Sequence, residues 1–487
     1  MKTVMNNHPT YSLRVVLVLL MLGIVLTGPG RLSAQPPKAL VSRLTTAVTK
    51  ADTIAEKWGV AVIALDSGDV VFAAGTDEPL NLASNGKLPT TAAALEHYGP
   101  DTVFETVIKG NMDGNGAIDG DLIVVGGGDP SMTVETLRNL VQKTQAAGVT
   151  EISGRVCVDD SLFDSEHLPP AFDQKSTGSA YRASVGAFAV DYSAFSVGFR
   201  PGAILGTPAR VTISPGGSNV VVENRSQTIT GKVEKLLIES HIDQDRTVVT
   251  VTGTIGIKNK GGAVRRRIDD PALQAAGVFR QLLQNAGVEV ANDGFCRAKA
   301  TADMETLVVH TSPKLAKLVA DVNLHSNNMM AETLLKLVAA RTGGTPARWS
   351  AGQEAVAKLL ENAGLQPGSF QYLNGSGLYD ADFVSALDMA LFLRWVFGQT
   401  YGKTFVDSLP VAGKSGTLRG RMGGTPAALR VMAKTGTLDA VITLSGYVQA
   451  QSGRWYTFAF LFNGTKTPHG IPRGLQDRLC AIVAEFG

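Results

Sequence analysis

The strongest constraint on this chain is where its β-hairpin patterns fall. Residues 59–65 (GVAVIAL) form a short apolar run, closed by the turn signal Asp66-Ser67-Gly68-Asp69, and residues 70–74 read as its hairpin partner. The next strong group stands at the far end of the chain. There 433–437, 441–448 and 455–463 read as three consecutive strands, the last two joined at Gln451-Ser452-Gly453. Helix patterns accompany both groups. Leu88, Thr91, Ala92 and Leu95 fall at i, i+3, i+4 and i+7, and 315–322, 331–341, 351–363 and 474–485 read as further helices. The expected fold class is α+β: one domain made of two sequence-distant pieces, with an antiparallel sheet covered by helices.

The interior differs. From about 103 to 306, short alternating strands such as 121–125 and 248–255 are separated by Gly-rich turns. Strand signal is densest over 191–262, and helix returns at 270–286. The chain of 487 residues is long enough for several cores. We expect a main domain from 35–102 and 307–487, an inserted domain from 103–190 and 263–306, and a nested β-rich domain at 191–262.

The first 34 residues read as an export signal. A basic approach ends at Arg14, twelve apolar residues follow (15–26, VVLVLLMLGIVL), and a small-residue stretch ends at Ser33-Ala34. A membrane span needs about 20 apolar residues, so cleavage near Ala34 is expected, with an uncleaved anchor as the alternative. The mature chain should then work outside the cytoplasm, in a periplasm or its equivalent. Formal net charge is +2, and the signal carries Lys2, Arg14 and Arg31 without an acid, which leaves the remainder near neutral. Such a chain has no electrostatic footprint for nucleic acid. The run Arg265-Arg266-Arg267, followed by Asp269-Asp270, reads as a solvated turn.

Three cysteines, Cys157, Cys296 and Cys480, leave at least one thiol unpaired. A Cys157–Cys296 disulfide is compatible with the sequence but not established by it. The cysteine spacings match no zinc site, the histidines form no H-E-x-x-H, and no metal or other cofactor is expected.

Three short patterns carry chemistry. The first is Ser84-x-x-Lys87. A serine hydroxyl is a weak nucleophile until a neighbouring base takes its proton, and residues three apart on a helix share a face. Burial next to other polar groups can lower a lysine pKa enough for it to take a proton near neutral pH. The plain alternative is a helix start capped by Ser84. The second is Ser326-Asn327-Asn328, a hydroxyl and carboxamides at a helix edge, or else an ordinary cap. The third is Lys434-Thr435-Gly436-Thr437, at the start of a strand pattern. A strand edge offers backbone groups to an extended peptide, Gly436 permits close approach, and Lys434 and Thr435 suit a terminal carboxylate. Lys414-Ser415-Gly416-Thr417 mimics it but is followed by a loop-like stretch.

Other patterns fail on inspection. Gly402-Lys403-Thr404 and Gly413-Lys414-Ser415 lack the upstream glycine of a phosphate loop. Gly375-Ser376-Gly377 is not a nucleophile elbow, because Asn374 replaces the first glycine. His325 reads as a packing or surface residue rather than a base.

In this order the three motifs resemble those of the penicillin-recognising serine enzymes. The 242 residues from Ser84 to Ser326 exceed the interval of compact β-lactamases. The chain is similar to the low-molecular-mass class C penicillin-binding proteins, the D-alanyl-D-alanine carboxypeptidase/endopeptidase family. Gly126-Gly127-Gly128-Asp129-Pro130, Asn374-Gly375-Ser376-Gly377-Leu378 and Gly416-Thr417-Leu418-x-x-Arg421 add to the likeness. The resemblance implies a penicillin-binding transpeptidase-like domain interrupted by a β-rich insert forming two further domains. It implies Ser84 as nucleophile, Lys87 as base, Ser326 as proton relay and Asn328 as a substrate-positioning group. It implies Lys434 and Thr435 as the carboxylate site, with the N–H groups of Ser84 and Thr437 as oxyanion hole. The implied partners are peptidoglycan stem peptides ending in D-Ala-D-Ala, and β-lactams. A β-lactamase and a catalytically silent wall-binding protein are the rival readings.

Overall fold

A computed structural model describes residues 37–487 apart from 245 and 293. The expected export segment lies outside the described residues. The main sheet contains β1 (Ala55–Ala64), β2 (Val70–Ala74), β3 (Val431–Leu438), β4 (Val441–Gln449) and β5 (Trp455–Thr465). Their spatial order is β2–β1–β5–β4–β3, antiparallel throughout. The two ends of the chain therefore meet at the β1–β5 ladder, where Val60 pairs with Phe460.

The helices around this sheet include α1 (Lys38–Val48), α2 (Lys87–Tyr98), α3 (Leu315–His325), α4 (Asn328–Gly343), α5 (Trp349–Asn362), α6 (Ala386–Phe397) and α7 (Gly470–Phe486). Both faces of the sheet are covered, which is why its central strands are apolar without alternation. On one face Val60, Val62, Phe458 and Phe460 pack with Leu40 and Leu44 of α1 and Leu479 and Val483 of α7. On the other, Ala61, Ile63, Ala459 and Leu461 join a core with residues of α2 to α6, such as Leu88, Leu318, Leu334, Leu359 and Phe392. Every residue of α2 from Lys87 to Leu95 is buried. A helix buried all round lies in the middle of its layer, so its first turn opens inside the molecule.

Residues between the two pieces build further sheets. One has five strands in the order 295–297, 156–159, 122–125, 105–109, 306–311. The helices Val134–Ala146 and Pro271–Asn285 pack in its core. Asp270 caps the second by accepting from Leu273 N. Cys157 and Cys296 are direct partners on adjacent parallel strands of this sheet and form a disulfide, while Cys480 is a buried free thiol. A three-stranded and a four-stranded sheet from residues 194–267 share a separate core around Phe195, Val197, Val249 and Val251. The arginine run is not a turn: Gly262–Arg267 is a strand paired with Ala194–Arg200. Alternation of exposed Arg265 and half-buried Arg266 along an edge strand accounts for the run, and Arg267 is tied to Asp269 at 2.5 Å.

The segment after 156–159 returns to the helical layer. Trp349 Nε1 donates to Glu166 O at 3.0 Å, and buried Lys336 of α4 pairs with Asp164. Asn374 Nδ2 donates to Pro170 O at 3.0 Å. The same segment brings Tyr181 O to Asn328 of the site described next. No described helix is long and apolar enough to cross a membrane.

Candidate active site

Ser84 is not on an α-helix. It lies in a 3₁₀ turn, Ala83–Gly86, that runs directly into α2 at Lys87. Side chains three apart eclipse in a 3₁₀ turn, which brings Lys87 Nζ to 2.9 Å from Ser84 Oγ. Gly86 takes the cap position of α2, so Ser84 does not cap it. Ala83, just before the serine, has a φ of +46°, a left-handed conformation that costs a non-glycine residue roughly 1 kcal/mol. Its surroundings hold it there. Asn81 Oδ1 accepts from Ala83 N at 2.8 Å, Asn85 Nδ2 donates to Lys434 O at 2.9 Å, and Thr443 Oγ1 donates to Leu82 O at 2.8 Å.

Ser326 ends α3 in the left-handed region, with φ +55° and ψ +39°. Asn327 is the true cap of α4, accepting from Met330 N at 3.1 Å. Ser326 and Asn328 are thereby left to face the other two motifs. Asn328 Oδ1 accepts from Lys87 Nζ at 2.7 Å, and its Nδ2 donates to Tyr181 O at 2.8 Å, a carbonyl from the inserted segment. Lys434 Nζ donates to Ser326 Oγ and to Thr435 O, both at 2.8 Å. Each serine hydroxyl thus has a lysine amine of its own, and Asn328 ties the first of these lysines to the inserted segment.

Lys434 to Thr437 lie on β3, at the edge of the main sheet. Pro410 and Ala412 pair with β3 as far as Ala433, and the outer edge beyond faces the site. A side chain on Gly436 would stand 2.1 Å from Thr443 Oγ1 and 2.9 Å from Leu82 O. The glycine is required because β3 lies directly on the serine turn, in addition to any contact with substrate.

Both lysines are fully buried. Burial lowers Lys87 to about 7, opposed by the nearby charges of Glu332 and Asp382. Lys434 is held well below the ordinary lysine range, first by burial and then by the charge of Lys87.

Several residues here had no role assigned from the sequence. Ser376 O accepts from Lys87 Nζ at 2.7 Å. Thr417, in the stretch that mimics the third motif, accepts a bond from Thr435 Oγ1 at 2.8 Å, and Arg473 of α7 donates to Thr437 Oγ1 at 3.2 Å. Tyr181 contributes a backbone atom, which leaves no mark on residue type. Glu332 and Lys336, charged residues inside the apolar run of α4, were a usable signal, since buried charges rarely lack a task. His325 is exposed.

Residues 40–482 match the model of the D-Ala-D-Ala carboxypeptidase 3 (S13) family. The chain belongs to this family. A D-alanyl-D-alanine carboxypeptidase of an Actinomadura species is 32% identical over 443 residues, covering 88% of this chain and 81% of that one. The crystal structure of penicillin binding protein 4 (dacB) from Haemophilus influenzae superposes with a TM-score of 0.76 at 22% identity, over 90% of this chain and 97% of that chain. A second structure of the Haemophilus protein, complexed with a β-lactam, gives a TM-score of 0.73 at 22% identity, with the same coverage. Membership makes this chain a serine-type D-Ala-D-Ala carboxypeptidase.

Proposed function

We propose that this carboxypeptidase works through an acyl-enzyme on Ser84. The observation that carries the reading is the pair of serine–lysine contacts, Ser84 with Lys87 at 2.9 Å and Ser326 with Lys434 at 2.8 Å, with Asn328 held against Lys87 at 2.7 Å. Lys87 takes the Ser84 proton as Oγ attacks the carbonyl carbon between the two terminal D-alanines. The oxyanion forms against the N–H groups of Ser84 and Thr437, an interaction worth about 3–4 kcal/mol per donor. As the C–N bond breaks, Ser326 passes a proton to the departing D-alanine. Water then cleaves the ester, returning Ser84 and releasing the shortened peptide. Asn328 orients the substrate amide. Thr435 binds the terminal carboxylate directly, with the charge of Lys434 behind it.

The wall-peptide partners follow from this reading. β-Lactams would acylate Ser84 and leave slowly, an expectation supported by the β-lactam complex of the Haemophilus protein. Cleavage of peptide cross-links is a further expected activity. Substrates of this kind place the enzyme outside the cytoplasm, in keeping with the apolar run at 15–26. Residues 35–102 with 307–487 form the catalytic domain, and 103–190 with 263–306, and 191–262, the two inserted domains. Pairing of 306–311 with 105–109 favours drawing the insert's closing edge after Thr311.

The test is labelling with a fluorescent penicillin, followed by D-alanine release from a pentapeptide and monomer release from cross-linked wall. Wild type should label and Ser84→Ala should not. Equal labelling of both proteins rejects Ser84 as nucleophile, and rapid penicillin turnover would favour a β-lactamase.

A further inference from the structure

Helix α4 sends two groups to Lys87, and the mechanism above uses only Asn328. One turn further on, Glu332 is fully buried on the largely apolar α4. Its two carboxylate oxygens accept from Gly375 N at 2.8 Å and Ser376 N at 2.9 Å. The carbonyl of the same Ser376 accepts from Lys87 Nζ at 2.7 Å. Glu332 thus reaches the lysine through one residue of backbone. Burying a carboxylate costs several kcal/mol, and an apolar residue would pack α4 at less cost. Packing alone therefore gives no reason for the charge.

We propose that Glu332 is the positioning residue for Lys87: it fixes the 375–376 backbone so that the Ser376 carbonyl faces Nζ, and its negative charge sets the pH range in which the lysine serves as base. This rests on the reading of Ser84 and Lys87 given above. The other titratable groups facing this pocket are Asp382 and Tyr372, on either side of the 374–377 loop, and Lys434 from β3. Asp382 Oδ1 accepts from Leu373 N at 2.9 Å and Asn374 N at 3.3 Å, while its Oδ2 has no hydrogen-bond partner among the described residues. Burial raises Asp382 to about 8 and Glu332 to about 7. Both carboxyls favour the charged form of Lys87, and Glu332 is the one whose oxygens hold the 375–376 backbone against Nζ.

The experiment measures the rate of acylation by fluorescent penicillin from pH 5 to 9 in wild type, Glu332→Gln and Glu332→Asp, with melting temperatures alongside. Removing the charge favours the neutral amine, so the acidic limb of Glu332→Gln should move to lower pH by about one pH unit. Its plateau should fall roughly 10- to 100-fold as the carbonyl is displaced. Glu332→Asp keeps the charge with a shorter reach, so its limb should stay in place while its plateau falls. A Glu332→Gln limb that coincides with wild type, or moves to higher pH, overturns the proposal whatever happens to the melting temperature. If Glu332→Gln does not fold, Glu332→Asp decides: a lower plateau with an unmoved limb supports it, and a wild-type plateau or a displaced limb overturns it. Wild type that fails to acylate would instead reject Ser84 and Lys87 themselves.

Discussion

Acylation of Ser84 should follow the deprotonation of Lys87. An ordinary lysine, near 10.4, is free base in about one molecule in 2,500 at pH 7. Burial brings Lys87 to about 7, so about half the molecules hold a free amine 2.9 Å from the serine hydroxyl. The environment thereby supplies about 10³-fold more base at neutral pH than an exposed lysine would. The second-order rate of penicillin acylation should rise about tenfold per pH unit below 6 and level off above 8, with about one tenth of the plateau reached at pH 6. Lys87→Arg keeps a positive charge but has no free base in this range, so it should lose about 10²- to 10⁴-fold. The assay is the observed rate of fluorescent-adduct formation from pH 5.5 to 9, at fixed ionic strength. A flat profile, an inflection near 10, or a Lys87→Arg rate within tenfold of wild type would refute Lys87 as the base.

Lys434→Ala should reduce penicillin acylation at least 10²-fold while the protein still folds, because it strips Ser326 of its amine partner and the carboxylate site of its charge; adduct-formation rates and circular dichroism check this. Asp382→Asn should flatten the dependence of stability on pH. The folded-state value of Asp382 is raised to about 8, so its contribution is complete below about pH 4 and lost as pH rises toward 8. Wild type should therefore lose up to about 1.4 kcal/mol per pH unit relative to the variant between pH 5 and 8, measured by urea titration. The Cys157–Cys296 bond closes a separation of 139 residues, and replacing both cysteines with alanine should cost about 2–5 kcal/mol, read as a lower melting temperature insensitive to reductant.

Much of the site was legible in residue types. Ser84, Lys87, Ser326, Asn328, Lys434 and Thr435 stand out because the nucleophile, base and anion-binding roles proposed for them need those side chains in that order. The contacts of Tyr181 and Ser376 were not legible, because both are made through carbonyl oxygens that every residue owns. Thr417 stood both in a look-alike of the third motif and in a stretch that added to the family likeness, and only the fold brings it to Thr435. The arginine run was misread because its following acids suggested a turn, whereas pairing with Ala194–Arg200 overrode that local signal.

The sequence by itself determined the α+β class, the strands at both chain ends, and the three motifs. Apolar periodicity and side-chain chemistry are local properties, so they survive without coordinates. Tertiary structure decided what Lys87 is. It buried the amine, placed it against Ser84, Asn328 and the Ser376 carbonyl, and put two carboxyls nearby, from segments distant in the chain. A lysine's proton affinity depends on the solvent it loses and the charges it meets, and both are fixed only when the chain closes around it.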